Sequence, residues 1–129
     1  MRFGYTILYV DDVSRAIDFY ERAFGLTCRF VSDDATYGEM ETGDTTLSFA
    51  SHSLVGGSLP GGYRHNDPAE PPAGVEIGFV MDDVPAAWDA AVAAGAVVVS
   101  APTTKPWGQT VAYVRDPNGT LVELGEPVG

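Results

Sequence analysis

Two glutamates, Glu76 and Glu123, are the residues of this sequence with the clearest capacity for chemistry. If the fold brings them together, their mutual repulsion raises one pKa, and the protonated partner can then donate a hydrogen bond. Such a pair suits acid–base catalysis or the recognition of an amine, and it can also hold a hard cation such as Mg²⁺ or Mn²⁺ through oxygen and water. The plainer alternative is that Glu76 is only a solvated strand residue in an open cleft.

A tryptophan in a short loop is the second feature that suggests a site. Trp107 stands between a proline and a glycine, which is not how a core residue is placed. Its ring could stack on a flat or cationic ligand, or it could equally pack down and anchor the loop. Four tyrosines are candidates for an aromatic lining: Tyr5, Tyr9, Tyr37 and Tyr113.

The histidines and the cysteine indicate no further chemistry. His52 and His65 both fall in the long stretch 51–74, and we expect each to be an ordinary loop histidine. The single Cys28 excludes an intrachain disulfide and a cysteine-based metal cluster. The sequence has no Ser/His/Asp order, P-loop, Rossmann glycine pattern or zinc signature.

Composition restricts the classes of partner. The chain has 129 residues, of which 45% are hydrophobic and 19% charged, as expected for one folded domain. A net charge of −11 repels phosphate backbones, so we expect no nucleic-acid partner. The charge either attracts a cationic ligand or serves solubility alone. We expect no membrane span, since no apolar run approaches about 20 residues, and without a signal-peptide pattern we expect a cytoplasmic location.

The elements that must position these residues occur twice. Asp11-Asp12-Val13 and Asp82-Asp83-Val84 lie 71 residues apart, and each follows a short strand pattern and precedes an apolar helical stripe. A closing glycine ends each helix, Gly25 in the first copy and Gly95 in the second. Self-similarity at one spacing indicates a duplicated unit.

The predicted architecture is α+β, with two βαβββ modules forming a curved mixed sheet that has a concave cup and helices on its outer face. One domain spans residues 1–129, with module one at about 3–55, a linker loop at 56–74 and module two at about 75–127. The predicted strands are 3–10, 27–31, 36–41, 45–50, 75–81, 97–100, 110–115 and 120–124, with helices at 13–25 and 85–95.

The chain resembles the vicinal oxygen chelate superfamily, which includes glyoxalase I, extradiol dioxygenases and bleomycin-resistance proteins. The resemblance covers nearly the whole chain and is carried by residues 5–12, 17–20, 24–26 and 116–124. It looks closest to the metal-free members that resemble bleomycin-resistance proteins. Superfamily membership implies a fold more strongly than an activity, because one frame carries many chemistries.

The resemblance also implies a ligand set. In metal-dependent members, one divalent ion is held by residues of the first and last strand of each module, and these positions fall on Tyr5, Ser48, Glu76 and Glu123. Only Glu123 matches the usual ligand. The repeat supports the mapping, since Tyr5 and Glu76 are also 71 residues apart, and we expect the four side chains to converge.

Two carboxylates without an imidazole are a poor site for zinc, nickel or iron, so we expect no metal or other cofactor. The predicted function is a small-molecule-binding protein that sequesters an aromatic or cationic ligand, such as an antibiotic, in a cleft of a homodimer. The alternatives are a metal-dependent lyase, isomerase or dioxygenase holding a divalent metal through Glu76 and Glu123, or a metal-free acid–base enzyme using that pair. The predicted ligand-binding residues are Tyr5, Tyr9, Ser48, Glu76, Trp107, Tyr113 and Glu123.

Overall fold

The computed structural model describes residues 1–128 and confirms an α+β fold made of two βαβββ modules. In chain order the elements are β1 (Tyr5–Val10), α1 (Val13–Phe24), β2 (Thr27–Val31), β3 (Tyr37–Glu41), β4 (Thr46–Ser51), α2 (His52–Val55), β5 (Glu76–Val80), α3 (Val84–Ala93), β6 (Val97–Thr104), β7 (Thr110–Arg115) and β8 (Leu121–Gly125).

Each module forms its own four-stranded mixed sheet. The strand order is β1-β4-β3-β2 in the first sheet and β5-β8-β7-β6 in the second. In both, the first strand pairs in parallel with the last strand of its module, and the other pairs are antiparallel. The first and last strands of each module, which carry the predicted site positions, are therefore direct neighbours.

The repeated aspartates start the two long helices. Asp12 and Asp83 are the N-cap residues of α1 and α3, and each side chain accepts a hydrogen bond from the backbone N–H three residues later. This bond satisfies one of the donors that a helix start leaves without an intrahelical partner. After α1, Gly25 takes a left-handed conformation with φ of 70° that most residues avoid, and the helix ends there.

The core of the first module forms where α1 packs on one face of its sheet. Ile17 and Tyr20 belong to the apolar stripe of the helix, and the ring of Tyr20 lies 5.0 Å from that of Phe49 on β4. Gly38 on β3 leaves the space that the helix needs, because a Cβ there would stand 2.5 Å from Cδ1 of Ile17. Burial of this face leaves the opposite face of the sheet to carry polar side chains.

The structure differs from the predicted elements in two places. The short helix α2 lies in the stretch 51–74, where no helix was predicted, and β6 continues four residues beyond the predicted end at residue 100. The chain divides into two compact units, one of residues 1–21 and 25–65, the other of residues 22–24 and 66–128. The first half of the predicted linker thus belongs to the first unit.

No helix within residues 1–128 is both long and apolar enough to cross a membrane.

Candidate functional site

The second sheet brings Glu76, Tyr113 and Glu123 to one face. Glu123 on β8 stands opposite Tyr113 on β7 and opposite Gly78 on β5. Because side chains alternate between the faces of a sheet, Glu76 shares the face of Gly78 and hence of Glu123. The neighbouring side chains of Val122 and Leu124 point to the opposite face and are buried. The local alternation therefore places the carboxylates on the face opposite these buried side chains.

The surroundings of the two carboxyl groups differ. The Tyr113 hydroxyl donates a hydrogen bond of 2.9 Å to Oε2 of Glu123, and this bond to a carboxylate, together with burial, raises the pKa of Tyr113 to about 12. Burial and, next, the charge of Glu123 raise the pKa of Glu76 above its ordinary value. Within residues 1–128 neither carboxylate forms an ion pair with a lysine or an arginine. The pair can therefore receive a cation or exchange a proton.

Trp107 lies in the loop between β6 and β7 and is 66% exposed. Its indole N–H donates to Oε1 of Gln109 at 2.9 Å, and Nε2 of Gln109 donates to the backbone carbonyl of Glu126 at 2.7 Å. Gly125, which has no side chain, leaves room for both Gln109 and Glu123. A Cβ there would stand 3.0 Å from Oε1 of Glu123 and 3.4 Å from Nε2 of Gln109. Gln109 thus holds the Trp107 indole and lies on the same side of Gly125 as Glu123, a position that the sequence did not reveal.

In the first unit the predicted positions Tyr5, Tyr9 and Ser48 share one face of the sheet. Ser48 on β4 stands opposite Ile7 on β1, so Tyr5 and Tyr9, two residues to either side, point the same way. Tyr5 is 57% exposed, whereas Ser48 is fully buried and its Oγ has no hydrogen-bond partner among residues 1–128. Convergence of Tyr5 and Ser48 with Glu76 and Glu123 stays a prediction, because the two pairs lie in different compact units.

Sequence reasoning missed Glu39, the carboxylate beside Ser48. Glu39 on β3 stands opposite Ser48. Its Oε2 accepts a 2.7 Å hydrogen bond from the Tyr37 hydroxyl, and its Oε1 accepts one of 3.2 Å from Arg29, which also binds both oxygens of Glu41. Glu39 therefore already has a cationic partner, which it shares with Glu41. Its position beside Ser48 follows only from the β3–β4 register, which cannot be read from the sequence.

A third group, Asp11, His52 and His65, was not expected to be together. Nε2 of His52 lies 3.6 Å from Oδ1 of Asp11, and the two imidazole rings stack with centroids 3.7 Å apart and planes 8° from parallel. The two histidines are thus a structured pair in the first unit and not separate loop residues. None of the ligand positions implied by the family resemblance lies among these three.

Comparison with known proteins decides the family. The sequence model of the glyoxalase/bleomycin resistance protein/dioxygenase superfamily matches residues 2–124. The chain belongs to this superfamily. Among its relatives is the uncharacterized protein Mb0911c of Mycobacterium bovis, which is 32% identical over 94% of this chain and 80% of its own length.

Two other similar proteins carry the names of enzymes. A probable lactoylglutathione lyase of Vibrio cholerae is 26% identical over 95% of this chain and 88% of its own length. The crystal structure of a family enzyme from Burkholderia phytofirmans PsJN superposes with a TM-score of 0.77 at 19% identity, covering 98% of both chains. At that identity the likeness shows the superfamily fold, so the activity must be argued from the site.

Proposed function

We propose that this superfamily member binds a small aromatic cation on the face of the second sheet that carries Glu76, Tyr113 and Glu123. The observation that carries the proposal is a pair of neighbouring carboxyl groups that form no ion pair within the described residues. Burial and, next, repulsion from Glu123 raise the pKa of Glu76, and a bound cation stabilises the ionised form against both. The net charge of −11 also attracts a positive ligand at long range.

The equivalent face of the first sheet supports this assignment by contrast: there Ser48 takes the place of Glu123, and the carboxylate opposite it is Glu39. Glu39 already has Arg29 as a partner, whereas among residues 1–128 the Glu123 side chain is hydrogen-bonded only to the neutral Tyr113 hydroxyl. A carboxylate that accepts a hydrogen bond from a phenol keeps its charge available for a ligand. Of these two carboxylates, Glu123 is therefore the one whose charge no cationic side chain among the described residues offsets.

Trp107 supplies the aromatic part of the proposed site. Its ring is exposed and its indole N–H is held by Gln109, so the ring is oriented without being buried. A flat cation gains cation–π or stacking energy on such a surface, about 0.5–2 kcal/mol. The ligand class is therefore an aromatic cation, and sequestration of an antibiotic in a homodimer cleft is the biological role that we propose for it.

A matched pair of fluorescent probes tests the proposal. We expect 9-aminoacridinium to bind the purified protein at 0.15 M salt, and acridine-9-carboxylate, which has the same ring but a negative charge, not to bind. Glu123→Gln should weaken binding of the cation about tenfold, the order of one charge-assisted contact. Glu70→Gln, with the same change of charge in the same unit, should leave it unchanged. Equal binding of both probes, or equal loss in the two variants, would contradict the proposal.

One observation favours a second candidate, a metal-free acid–base enzyme. A carboxyl group with a raised pKa beside an ionised one can donate and return a proton, and Glu76 beside Glu123 has that arrangement. Incubation with S-lactoylglutathione, the compound in the name of the Vibrio relative, separates the candidates. Turnover that is lost in both Glu76→Gln and Glu123→Gln supports the enzyme, and its absence leaves the binding protein.

A further inference from the structure

The C-terminal ends of β1 and β4 in the first sheet bring a carboxylate and an imidazole close together. β1 and β4 run in parallel, and their last register pair is Val10 with Ser51. The next residue of each strand, Asp11 and His52, therefore leaves the sheet beside the other, since neighbouring strands are about 4.8 Å apart. The distance of 3.6 Å between Nε2 of His52 and Oδ1 of Asp11 follows from this register.

The loop after α2 returns a second imidazole to the same place. The Tyr63 ring packs edge-on against Tyr9 of β1 with centroids 4.9 Å apart, and its hydroxyl lies 2.6 Å from Nδ1 of His52. These contacts fix the loop two residues before His65, whose ring stacks on that of His52 at 3.7 Å. Two independent segments of the first unit therefore converge on Asp11.

We propose that Asp11, His52 and His65 form a binding site for a divalent transition-metal ion such as Zn²⁺. One ligand atom of each lies within 4.8 Å of the others. Two ligands of a tetrahedral zinc ion are about 3.4 Å apart, so the Asp11–His52 pair already has the required spacing. Metal binding requires the exposed His65 ring to turn out of its stack with His52, because the in-plane lone pairs of two parallel rings cannot meet at one ion.

The donor set suits this class of ion. Two imidazoles and one carboxylate bind zinc, iron and other first-row transition metals, and they leave coordination positions open to water or a ligand. Asp11 and His65 are exposed and His52 is half-buried, so an ion can enter from solvent. The site lies in the first unit and shares no residue with Glu76, Tyr113 and Glu123, so it is independent of the proposed cation-binding face.

Tyr63 has the position of a residue that orients a metal ligand. A histidine that binds metal through one ring nitrogen usually makes a hydrogen bond through the other, which fixes its tautomer. When Nδ1 of His52 donates to the Tyr63 oxygen, the lone pair of Nε2 is free and directed to the side of Asp11. Tyr63 is thus a positioning residue and contributes no ligand atom.

Calorimetric titration of chelator-stripped protein with Zn²⁺ tests the site. We expect one ion to bind per chain with micromolar or tighter affinity. His65→Asn and Asp11→Asn, both at exposed positions, should weaken binding more than tenfold, and Tyr63→Phe about tenfold. Glu123→Gln should have no effect. Absence of binding, unchanged affinity in both ligand variants, or loss in Glu123→Gln alone would overturn the proposal.

A second readout guards against variants that bind poorly because they are misfolded. Arg64 directly precedes His65, so trypsin can cleave the loop next to the proposed ligand. We expect Zn²⁺ to slow cleavage after Arg64 in the wild type at least tenfold, and to have no effect in His65→Asn with an unchanged circular dichroism spectrum. Equal cleavage of the wild type with and without Zn²⁺ would overturn the proposal.

Discussion

Glu76 and Glu123 are the same kind of side chain in two different local environments. Glu123 accepts a hydrogen bond from the Tyr113 hydroxyl, whereas the pKa of Glu76 is affected by burial and by the charge of Glu123. Both effects on Glu76 favour its neutral form, so the shift in its pKa opposes folding once the group is ionised. A site that keeps two like charges in place is expected to be less stable without its ligand than with it.

Replacing Glu76 tests directly how much its ionisation lowers the stability of the folded protein. Its pKa is raised in the folded state, so the ionised form destabilises the protein as pH rises through that raised value, and no cost exists below the ordinary value of 4.5. We predict that Glu76→Gln raises the melting temperature by about 1–3 °C at pH 7, a small effect because the group is solvent-screened, and leaves it unchanged at pH 4. Thermal denaturation monitored by circular dichroism measures both. A lower melting temperature at pH 7 would contradict this account.

The strand positions of the second unit were easier to predict than those of the first. Glu76 and Glu123 occupy positions that the internal repeat and the family resemblance both mark, so the sequence alone assigned them to the first and last strands of the module; their role in a site stays a prediction. Glu39 becomes important only through its register with Ser48, and the sequence does not specify that register. The pairing of His52 with His65 depends on the path of the loop between them, which carries no periodic pattern.

At the scale of elements, the repeated Asp-Asp-Val segments determine where the helices begin. In each, the second aspartate is the N-cap, with an oxygen 3.1 Å from the backbone nitrogen three residues later. The first aspartate makes no such bond to its helix. The sequence predicted these starts closely because capping depends on local residue types alone.

This difference between adjacent aspartates is testable in the second module. We predict that Asp83→Ala lowers the free energy of unfolding by about 1 kcal/mol, because one N–H at the start of α3 loses its acceptor. Asp82→Ala, with the same change of charge next to it, should cost less than half as much. Urea denaturation gives both values. Equal losses would show that removal of the charge, and not loss of the N-cap, lowers the free energy of unfolding.

The predicted linker has more structure than its glycines and prolines indicate. The buried Arg115 of β7 donates to the backbone carbonyls of Asp67, Pro68 and Glu70, and through Nε to that of Gly119. Residues 67–70 are thus attached to the second sheet. No sequence signal marks this role, because a single arginine in a strand looks like a surface residue.

At the scale of the whole molecule, family membership determines the fold and leaves the activity and the assembly open. The edge strand β6 exposes three consecutive valines, Val97, Val98 and Val99, each with 45–51% of its surface accessible. Exposed apolar edge strands invite pairing with another chain. This exposure supports the homodimer expected from the family resemblance.

We predict that the protein sediments as a dimer and that Val98→Lys shifts it to the monomer. A lysine on the exposed edge places a charge in the expected interface and opposes strand pairing. Ala90→Lys, the same kind of change on the exposed side of α3, should leave the dimer intact. Sedimentation equilibrium distinguishes the two states. A monomeric wild type, or a dimer that survives Val98→Lys, would contradict this prediction.

The claim that the second sheet binds an aromatic cation is tested most directly by mapping where the probe binds. We would titrate ¹⁵N-labelled protein with 9-aminoacridinium and follow the backbone amide signals. The account predicts saturable shifts at β5, β7 and β8 around Glu76, Tyr113 and Glu123, together with the Trp107 indole signal, and their loss in Glu123→Gln. Shifts confined to the first unit, or small shifts spread evenly over the acidic surface, would contradict it.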